Sequence, residues 1–134
     1  MSELNYSVDH LGLPAKDTTT LKDWYVRTLG ATVRFENGQT PPAYFLELGG
    51  GLMIEIYPAS GAVPDTTNNG LAGWRHLALR VATIEAAQAE LAQRGVKFTE
   101  LPKPAGGGGR VLFFADAEGN LLHLVERPKE SVFH

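Results

Sequence analysis

The sequence predicts an α+β fold made of two βαβββ modules, within a chain of 134 residues that suits one ordinary domain. The main observation is an internal repeat, in which three landmarks recur in the same order with a spacing that drifts by only a few residues. These landmarks are His10–Leu13 with His76–Leu79, Gly30–Val33 with Gly95–Phe98, and Gly51–Ile56 with Gly119–Leu124. A second observation is that each half contains one amphipathic helical segment among apolar, strand-like segments. Together the two observations indicate a duplicated module.

The first half predicts a strand, a helix and three further strands. A helix is expected over Thr18–Leu29 because apolar residues recur at helical spacing, namely Leu21, Trp24, Tyr25 and Leu29. Asp17 is the expected N-cap, and Gly30 is expected to end the helix in the left-handed conformation. The predicted strands are Tyr6–Leu13, Ala31–Asn37, Tyr44–Leu48 and Leu52–Pro58, with turns at Asn37-Gly38 and Gly49–Gly51.

The second half predicts the same order of elements. Its helix is expected over Ile84–Arg94, with Thr83 as the N-cap, Gly95 as the terminator, and an inward face of Ile84, Ala87 and Leu91. The predicted strands are Trp74–Ala82, Val96–Glu100, Arg110–Ala115 and Leu121–Arg127. The chain is therefore interpreted as one domain of two modules, residues 4–58 and 74–128, with a linker at 59–73 and a tail at 129–134.

Composition excludes several classes of protein. At 43% hydrophobic and 20% charged residues the chain can bury a core, so a disordered chain is excluded. There is no cysteine, which excludes disulfide scaffolds, iron–sulfur clusters and thiol nucleophiles. The net charge of −3 without a basic run argues against nucleic acid. Neither a signal peptide nor an apolar run long enough to cross a bilayer is visible, so we expect no membrane partner and a cytoplasmic location.

Strand alternation places four possible metal ligands on equivalent faces. Residues of one parity in each strand are apolar and suit the face under the helix, which leaves the opposite parity for a second face. That second face carries His10, Glu55, His76 and His123, one at the start and one at the end of each module. Imidazole and carboxylate groups are a plausible ligand set for a divalent metal ion. Glu126 has the opposite parity and is the weaker candidate.

Residues that share the parity of these ligands are candidate walls of a substrate pocket. They are Met53, Tyr57, Arg80, Leu121 and Val125. The glycine run Gly106–Gly109 is interpreted as a hairpin tip, because neither a helix nor a lysine-serine/threonine pair follows it as a phosphate-binding loop requires.

Several motifs resemble the vicinal oxygen chelate superfamily, which includes glyoxalases, bleomycin resistance proteins and extradiol dioxygenases. The matching segments are Asp9–Leu13, Trp24–Tyr25, Leu29–Gly30, Met53–Tyr57, Arg75–Val81 and Asp116–Leu124. The resemblance implies that paired βαβββ modules form a curved mixed sheet, a cup around one divalent metal ion (Zn, Ni, Mn or Fe(II)). By position it implies the ligands His10, Glu55, His76 and His123. It also implies a small-molecule substrate and a homodimer.

One position departs from the family pattern. The last ligand of the family is usually glutamate, and this chain has His123. Glu55 is then the only carboxylate of the expected ligand set, and so the only candidate in that set for a catalytic proton carrier.

The leading hypothesis is therefore a metal-dependent enzyme of the glyoxalase type. It would bind a small substrate through two vicinal oxygens and use isomerase or lyase chemistry with an enolate-like intermediate. Two alternatives stay open: an Fe(II)-dependent ring-cleaving or related dioxygenase, and a non-catalytic protein that binds a small molecule such as a drug.

Overall fold

The computed structural model describes residues 6–61 and 65–130, and the chain divides into two compact units, residues 1–62 and 63–134. Each unit contains one α-helix and one four-stranded mixed sheet, and the first also has a short 3-10 helix at Gly49–Gly51, so the predicted α+β class is confirmed. The predicted linker 59–73 and tail 129–134 lie partly outside the described residues. In the described part of the chain, no helix has the length and apolar character needed to cross a bilayer.

The first unit has the strand order β1-β4-β3-β2, in which β1 and β4 are parallel and the other pairs antiparallel. Its elements are β1 (Leu11–Ala15), α1 (Thr18–Leu29), β2 (Thr32–Glu36), β3 (Tyr44–Glu47) and β4 (Met53–Pro58). Helix α1 begins where the Asp17 carboxylate accepts from Thr20 N at 3.0 Å, and it ends at Gly30 with a φ of 71°. Both caps are as predicted, because the sequence supplied an acceptor and a residue without a Cβ.

The second unit repeats this topology with the order β5-β8-β7-β6. Its elements are β5 (His76–Arg80), α2 (Ile84–Gln93), β6 (Lys103–Pro104), β7 (Arg110–Ala115) and β8 (Leu121–Glu126). Thr83 caps α2 by accepting from Ala86 N at 3.3 Å. Gly95, which has a φ of 94°, follows the end of the helix.

The first predicted strand, Tyr6–Leu13, is wrong at both ends, since β1 spans Leu11–Ala15, and the predicted strand Val96–Glu100 does not form. The first strand begins at Leu11 and not at Tyr6, because the parallel partner of Leu11 is Ile54, near the start of β4, and Tyr6 and Val8 lie exposed. No strand forms over 96–100, where the chain instead bonds back to the helix through Val96 N and Leu91 O. The edge strand is Lys103–Pro104, and it stays short because prolines 102 and 104 have no N–H to donate.

The two faces of each sheet differ in chemistry, as the alternation predicts. One face is covered by the helix of its own unit and has an apolar centre, with Leu46 and Ile56 in the first unit and Leu112 and Leu124 in the second, all 0–2% exposed. The strand register places Glu55, His76 and His123 on the opposite face, since Glu55 pairs with Gly12 and His123 with Ala78, whereas His10 lies one residue before β1. The sheet is therefore the scaffold that holds the candidate ligands.

Candidate functional site

Each unit brings together two of the four predicted ligands and one phenylalanine. We call His10, Phe45 and Glu55 the first half-site, and His76, Phe113 and His123 the second half-site. The phenylalanines are equivalent, because Phe45 pairs with Glu55 across β3 and β4, and Phe113 pairs with His123 across β7 and β8. The register shows that they lie on the same face as the ligands.

The first half-site is a chain of charged hydrogen bonds. His10 Nε2 lies 3.3 Å from Glu55 Oε1, and His10 Nδ1 lies 2.7 Å from Asp9 Oδ2. The imidazole packs edge-on against Phe45, with ring centroids 5.1 Å apart. The hydrogen bond to Asp9 is the main cause that raises the pKa of His10, with the charge of Glu55 adding to it. This half-site therefore favours a protonated imidazole between two carboxylates.

The second half-site is a cluster of three rings, in which His123 is buried, Phe113 is half-buried and His76 is exposed. The rings of His76 and His123 have centroids 4.6 Å apart, and Phe113 lies 4.8 Å from His123. His123 is only 5% exposed, and burial is the main cause that lowers its pKa, with positive charge at Arg127 and Lys103 adding to this. The lowered pKa of His123 therefore favours its neutral imidazole, which is the form that binds metal ions.

All three predicted histidine ligands share one hydrogen-bonding feature. In each, Nδ1 contacts an oxygen: Asp9 Oδ2 for His10, Asn69 Oδ1 for His76 at 2.7 Å, and the Leu124 carbonyl for His123 at 3.2 Å. These oxygens can only accept, so Nδ1 carries the hydrogen and a neutral ring keeps its lone pair on Nε2. An Nδ1–H bond to a carboxylate or carbonyl is the usual support of a histidine that binds metal through Nε2.

The distances within each half-site suit two ligands of one ion. With bonds near 2.1 Å, two ligand atoms on one ion lie roughly 3.0–3.4 Å apart and two imidazole centroids roughly 4.5–5 Å apart. The observed separations are 3.3 Å for His10 Nε2 and Glu55 Oε1, and 4.6 Å for the rings of His76 and His123. Among the described residues, no group of three or more His, Asp or Glu side chains is arranged to hold an ion. Each half-site therefore fits a metal as a pair of ligands.

A cavity of about 350 Å³ opens beside the second half-site, within the second unit. His76, His123 and Phe113 line one side of it, and Lys103 and Arg127 supply positive charge. The Lys103 ammonium lies over the Phe113 ring, 4.8 Å from its centroid. Arg127 donates from Nη1 to the carbonyls of Gly106 and Gly108, and so holds the β6–β7 turn. The glycine run is indeed a hairpin tip, and it forms part of the cavity wall.

The five predicted pocket residues lie on the expected sheet face of their units, but only Leu121 lines a cavity, a smaller one of about 120 Å³. Tyr57 packs over Gly12, where a Cβ would lie 3.2 Å from its ring. Arg80 and Val125 are register partners, with Arg80 exposed and Val125 buried. Met53 is partly buried at the start of β4.

Glu126 points away from the second half-site, as its parity predicts. Its carboxylate accepts from Ile84 N at 2.5 Å, at the start of α2, and from Arg110 Nη2 at 2.9 Å. The hydrogen bond from Arg110 is the main cause that lowers the pKa of Glu126. Its role is to bind the helix end to the sheet.

Four polar residues near the half-sites were not identified from the sequence. Asp9 is adjacent to His10 in sequence, so its position was a usable signal. Asn69 comes from the linker region and Lys103 from a strand predicted in the wrong place, while Arg127 was placed only at the end of a strand. Periodicity gives no information on loop residues, so only the tertiary structure identifies the last three.

Comparison with known proteins assigns the class. The family model described as "Glyoxalase/Bleomycin resistance protein/Dioxygenase superfamily" matches residues 7–124, and the chain belongs to this superfamily. Membership supports an enzyme whose reaction is unassigned, since two of the three named groups are enzymes. The uncharacterised protein YwkD of Bacillus subtilis strain 168 is 28% identical over 124 residues, covering 90% of this chain and 97% of that protein.

Solved structures agree with the family. A glyoxalase family protein from Enterococcus faecalis is 29% identical, with a TM-score of 0.75 over 91% of this chain and 98% of that one. A variant of the fosfomycin resistance protein FosX from Listeria monocytogenes has a TM-score of 0.71 at 18% identity, covering 95% and 94%. That structure contains Mn(II) and 1S,2S-dihydroxypropylphosphonic acid, so a divalent metal occurs within this fold. The predicted fold and family are confirmed.

Proposed function

We propose that this protein is a metal-dependent enzyme that binds a small substrate through two vicinal oxygens and carries out isomerase or lyase chemistry. The proposed ligands of one divalent ion are His10 and Glu55 from the first half-site and His76 and His123 from the second. A bound ion would supply a Lewis acid that polarises the substrate oxygens. The Mn(II) in the FosX structure supports a divalent ion in a protein of this fold.

The observation that carries this proposal is the oxygen partner that all three histidines have at Nδ1. Each Nδ1 is held by an oxygen acceptor from a different part of the chain, namely the preceding residue, a loop and the following carbonyl. A hydrogen bond at Nδ1 leaves Nε2 as the nitrogen of each ring that would bind the ion in the neutral form. Three nitrogen donors and one carboxylate suit Zn, Ni, Mn or Fe(II), which leaves the identity of the metal open.

Glu55 is the proposed proton carrier, because it is the only carboxylate in the proposed ligand set. Its Oε1 already lies 3.3 Å from His10 Nε2, in a geometry that allows a proton to be held between them. Phe45 packs against the same imidazole and limits the directions that the ring can take. The arrangement favours an enzyme over a protein that only sequesters a ligand, because sequestration requires no ordered proton carrier.

Metal titration of chelator-treated protein by calorimetry tests the proposal. We expect one ion per chain, and a loss of affinity of at least about 100-fold for His10→Ala, His76→Ala or His123→Ala, since each change removes one ligand. Circular dichroism checks that each variant is folded. Two matched controls, Glu126→Ala and His134→Ala, should retain the affinity of the wild type; His134 lies outside the described residues.

Two outcomes would contradict the proposal. Unchanged affinity in all three histidine variants would exclude this ligand set. If purified protein neither contains nor binds a divalent metal, the protein is better described as a non-catalytic binding member of the superfamily. The homodimer is a separate proposal, and sedimentation at tens of micromolar tests it; a monomer at that concentration would contradict it.

A further inference from the structure

We propose that the cavity beside the second half-site binds the anionic group of the substrate, so that the substrate is a small organic acid with Lys103 as its specificity-determining residue. This inference deepens the proposed function, on which it rests for the role of His76 and His123. It adds a substrate class, an oxyanion in the form of a carboxylate, phosphate or phosphonate.

The charge of the cavity wall is the first argument. Lys103 and Arg127 both line the cavity, and the described residues that line it include no Asp or Glu. Glu100 lines the smaller cavity, which Lys103 and Phe113 also border. Among the described carboxylates, none forms an ion pair with Lys103. A concave site with one sign of charge concentrates ligands of the opposite sign. An anion is therefore the expected occupant.

The position of the Lys103 ammonium is the second argument. It lies over the face of Phe113, and Phe113 packs directly on His123 and His76. The same register places Lys103 opposite Val111 and Phe113 opposite His123, so the charge and the imidazoles lie on one sheet face. A ligand with oxygens at the imidazoles can thus present an acid group to the ammonium.

The size and support of the cavity are the third argument. A volume of about 350 Å³ suits a small molecule. Arg127 is anchored by two carbonyls of the β6–β7 turn, so this wall is held in place while the charge remains beside the cavity. Lys103 comes from the short edge strand β6, where Pro104 follows it and restricts the backbone.

The test is an NMR shift titration of the metal-free, full-length chain with three probes. Lactate carries vicinal oxygens and a carboxylate, methylphosphonate carries the alternative acid group, and 1,2-propanediol carries vicinal oxygens without charge. We expect saturable shifts around Lys103 with at least one of the two acids, and none with the diol at the same concentration. The acid that binds more tightly identifies the type of oxyanion.

Lysine variants distinguish a specific site from general attraction. Lys103→Met should weaken binding of the preferred acid about tenfold, whereas Lys103→Arg should retain most of it. Lys97→Met is the matched control, since this exposed lysine of the same unit does not line the cavity, and it should stay within about twofold. Equal losses for Lys97→Met and Lys103→Met, or no binding of either acid, would overturn the inference.

This test is independent of the metal experiment. If the metal binds and neither acid does, the proposed function survives and the substrate class is wrong. If an acid binds through Lys103 and the metal does not bind, the anion site stands and the metalloenzyme proposal fails.

Discussion

The two units have similar apolar side chains on the helix-covered face of each sheet and different polar side chains on the opposite face. Both place apolar side chains under a helix at equivalent positions, such as Ile56 and Leu124. On the opposite face the first half-site holds an imidazole between two carboxylates, whereas the second holds two imidazoles in contact, tilted by 46°, near two cations. The repeated modules therefore have the same kind of core packing under the helix. Their polar residues differ on the opposite face, because core packing does not constrain the residue types there.

The largest expected effect is a loss of stability from substitutions on the apolar, helix-covered face of each sheet. Ile56→Ala and Leu124→Ala should each reduce the free energy of unfolding by about 3 kcal/mol, because each removes a side chain from a fully packed core. Denaturation in urea measures the change. Leu101→Ala, at a residue that is 84% exposed, should change it by less than about 0.5 kcal/mol. A loss in only one unit would show that the two cores are not equivalent.

The next effect concerns the oxygens that hold the histidines. Asp9→Ala and Asn69→Ala should each weaken metal binding by about 10–100-fold, because His10 or His76 loses the acceptor at Nδ1. Calorimetric titration with a divalent metal measures this. The control is Asn68→Ala, because the amide oxygen of Asn68 accepts from Gly70 N and contacts no histidine. Wild-type affinity in both test variants would mean that these contacts do not orient the ligands.

A smaller effect separates Glu126 from the half-sites. Glu126→Gln should lower the free energy of unfolding by about 1–2 kcal/mol at neutral pH, because it weakens the bonds to Arg110 and to the start of α2. The pKa of Glu126 is lower in the folded state than in the unfolded chain. The stability from its ionised form is therefore fully present above the unfolded-state pKa, and it is lost as the pH falls through the folded-state pKa. The difference between variant and wild type should therefore disappear in acid.

A matched substitution checks that this effect is local to the helix start. Glu90→Gln removes an exposed carboxylate that pairs with Arg94 one turn along α2, and should cost less than about 0.5 kcal/mol. Equal losses for the two glutamates at neutral pH would contradict the special role of Glu126.

The smallest effect is a difference in titration between the half-sites. NMR titration of metal-free protein should give a pKa for His10 above the ordinary histidine value and a pKa for His123 below it. Asp9→Asn should lower the pKa of His10, because the bond to Asp9 is the main cause of its rise. Any stability from protonated His10 is fully present below the unfolded-state pKa of histidine, and it is lost as the pH rises through the folded-state pKa of His10. Identical titration of the two histidines would remove the contrast between the half-sites.

The sequence alone determined the repeat, the α+β class and the sheet face of Glu55, His76 and His123, whereas His10, which was predicted to lie in a strand, lies before β1. Periodicity identified α1 over Thr18–Leu29, with Asp17 and Gly30 as its caps, because local hydrogen bonds and backbone sterics fix helix ends. Alternation assigned His10, Glu55, His76 and His123 to the face opposite the helix and Glu126 to the helix side. A period of two leaves no other arrangement once a strand is established.

Tertiary structure decided what periodicity does not encode. The edge strand formed at Lys103–Pro104 and not over 96–100, because Lys103 and Pro104 are the residues that pair with β7. The strand is short because prolines have no N–H group to donate. Asn69 reaches His76 from a loop, seven residues away along the chain. The cavity and its positive charge depend on Lys103, Arg127 and a glycine turn that meet only after folding. Local sequence therefore determines which face a residue occupies, and long-range packing determines which residues it meets there.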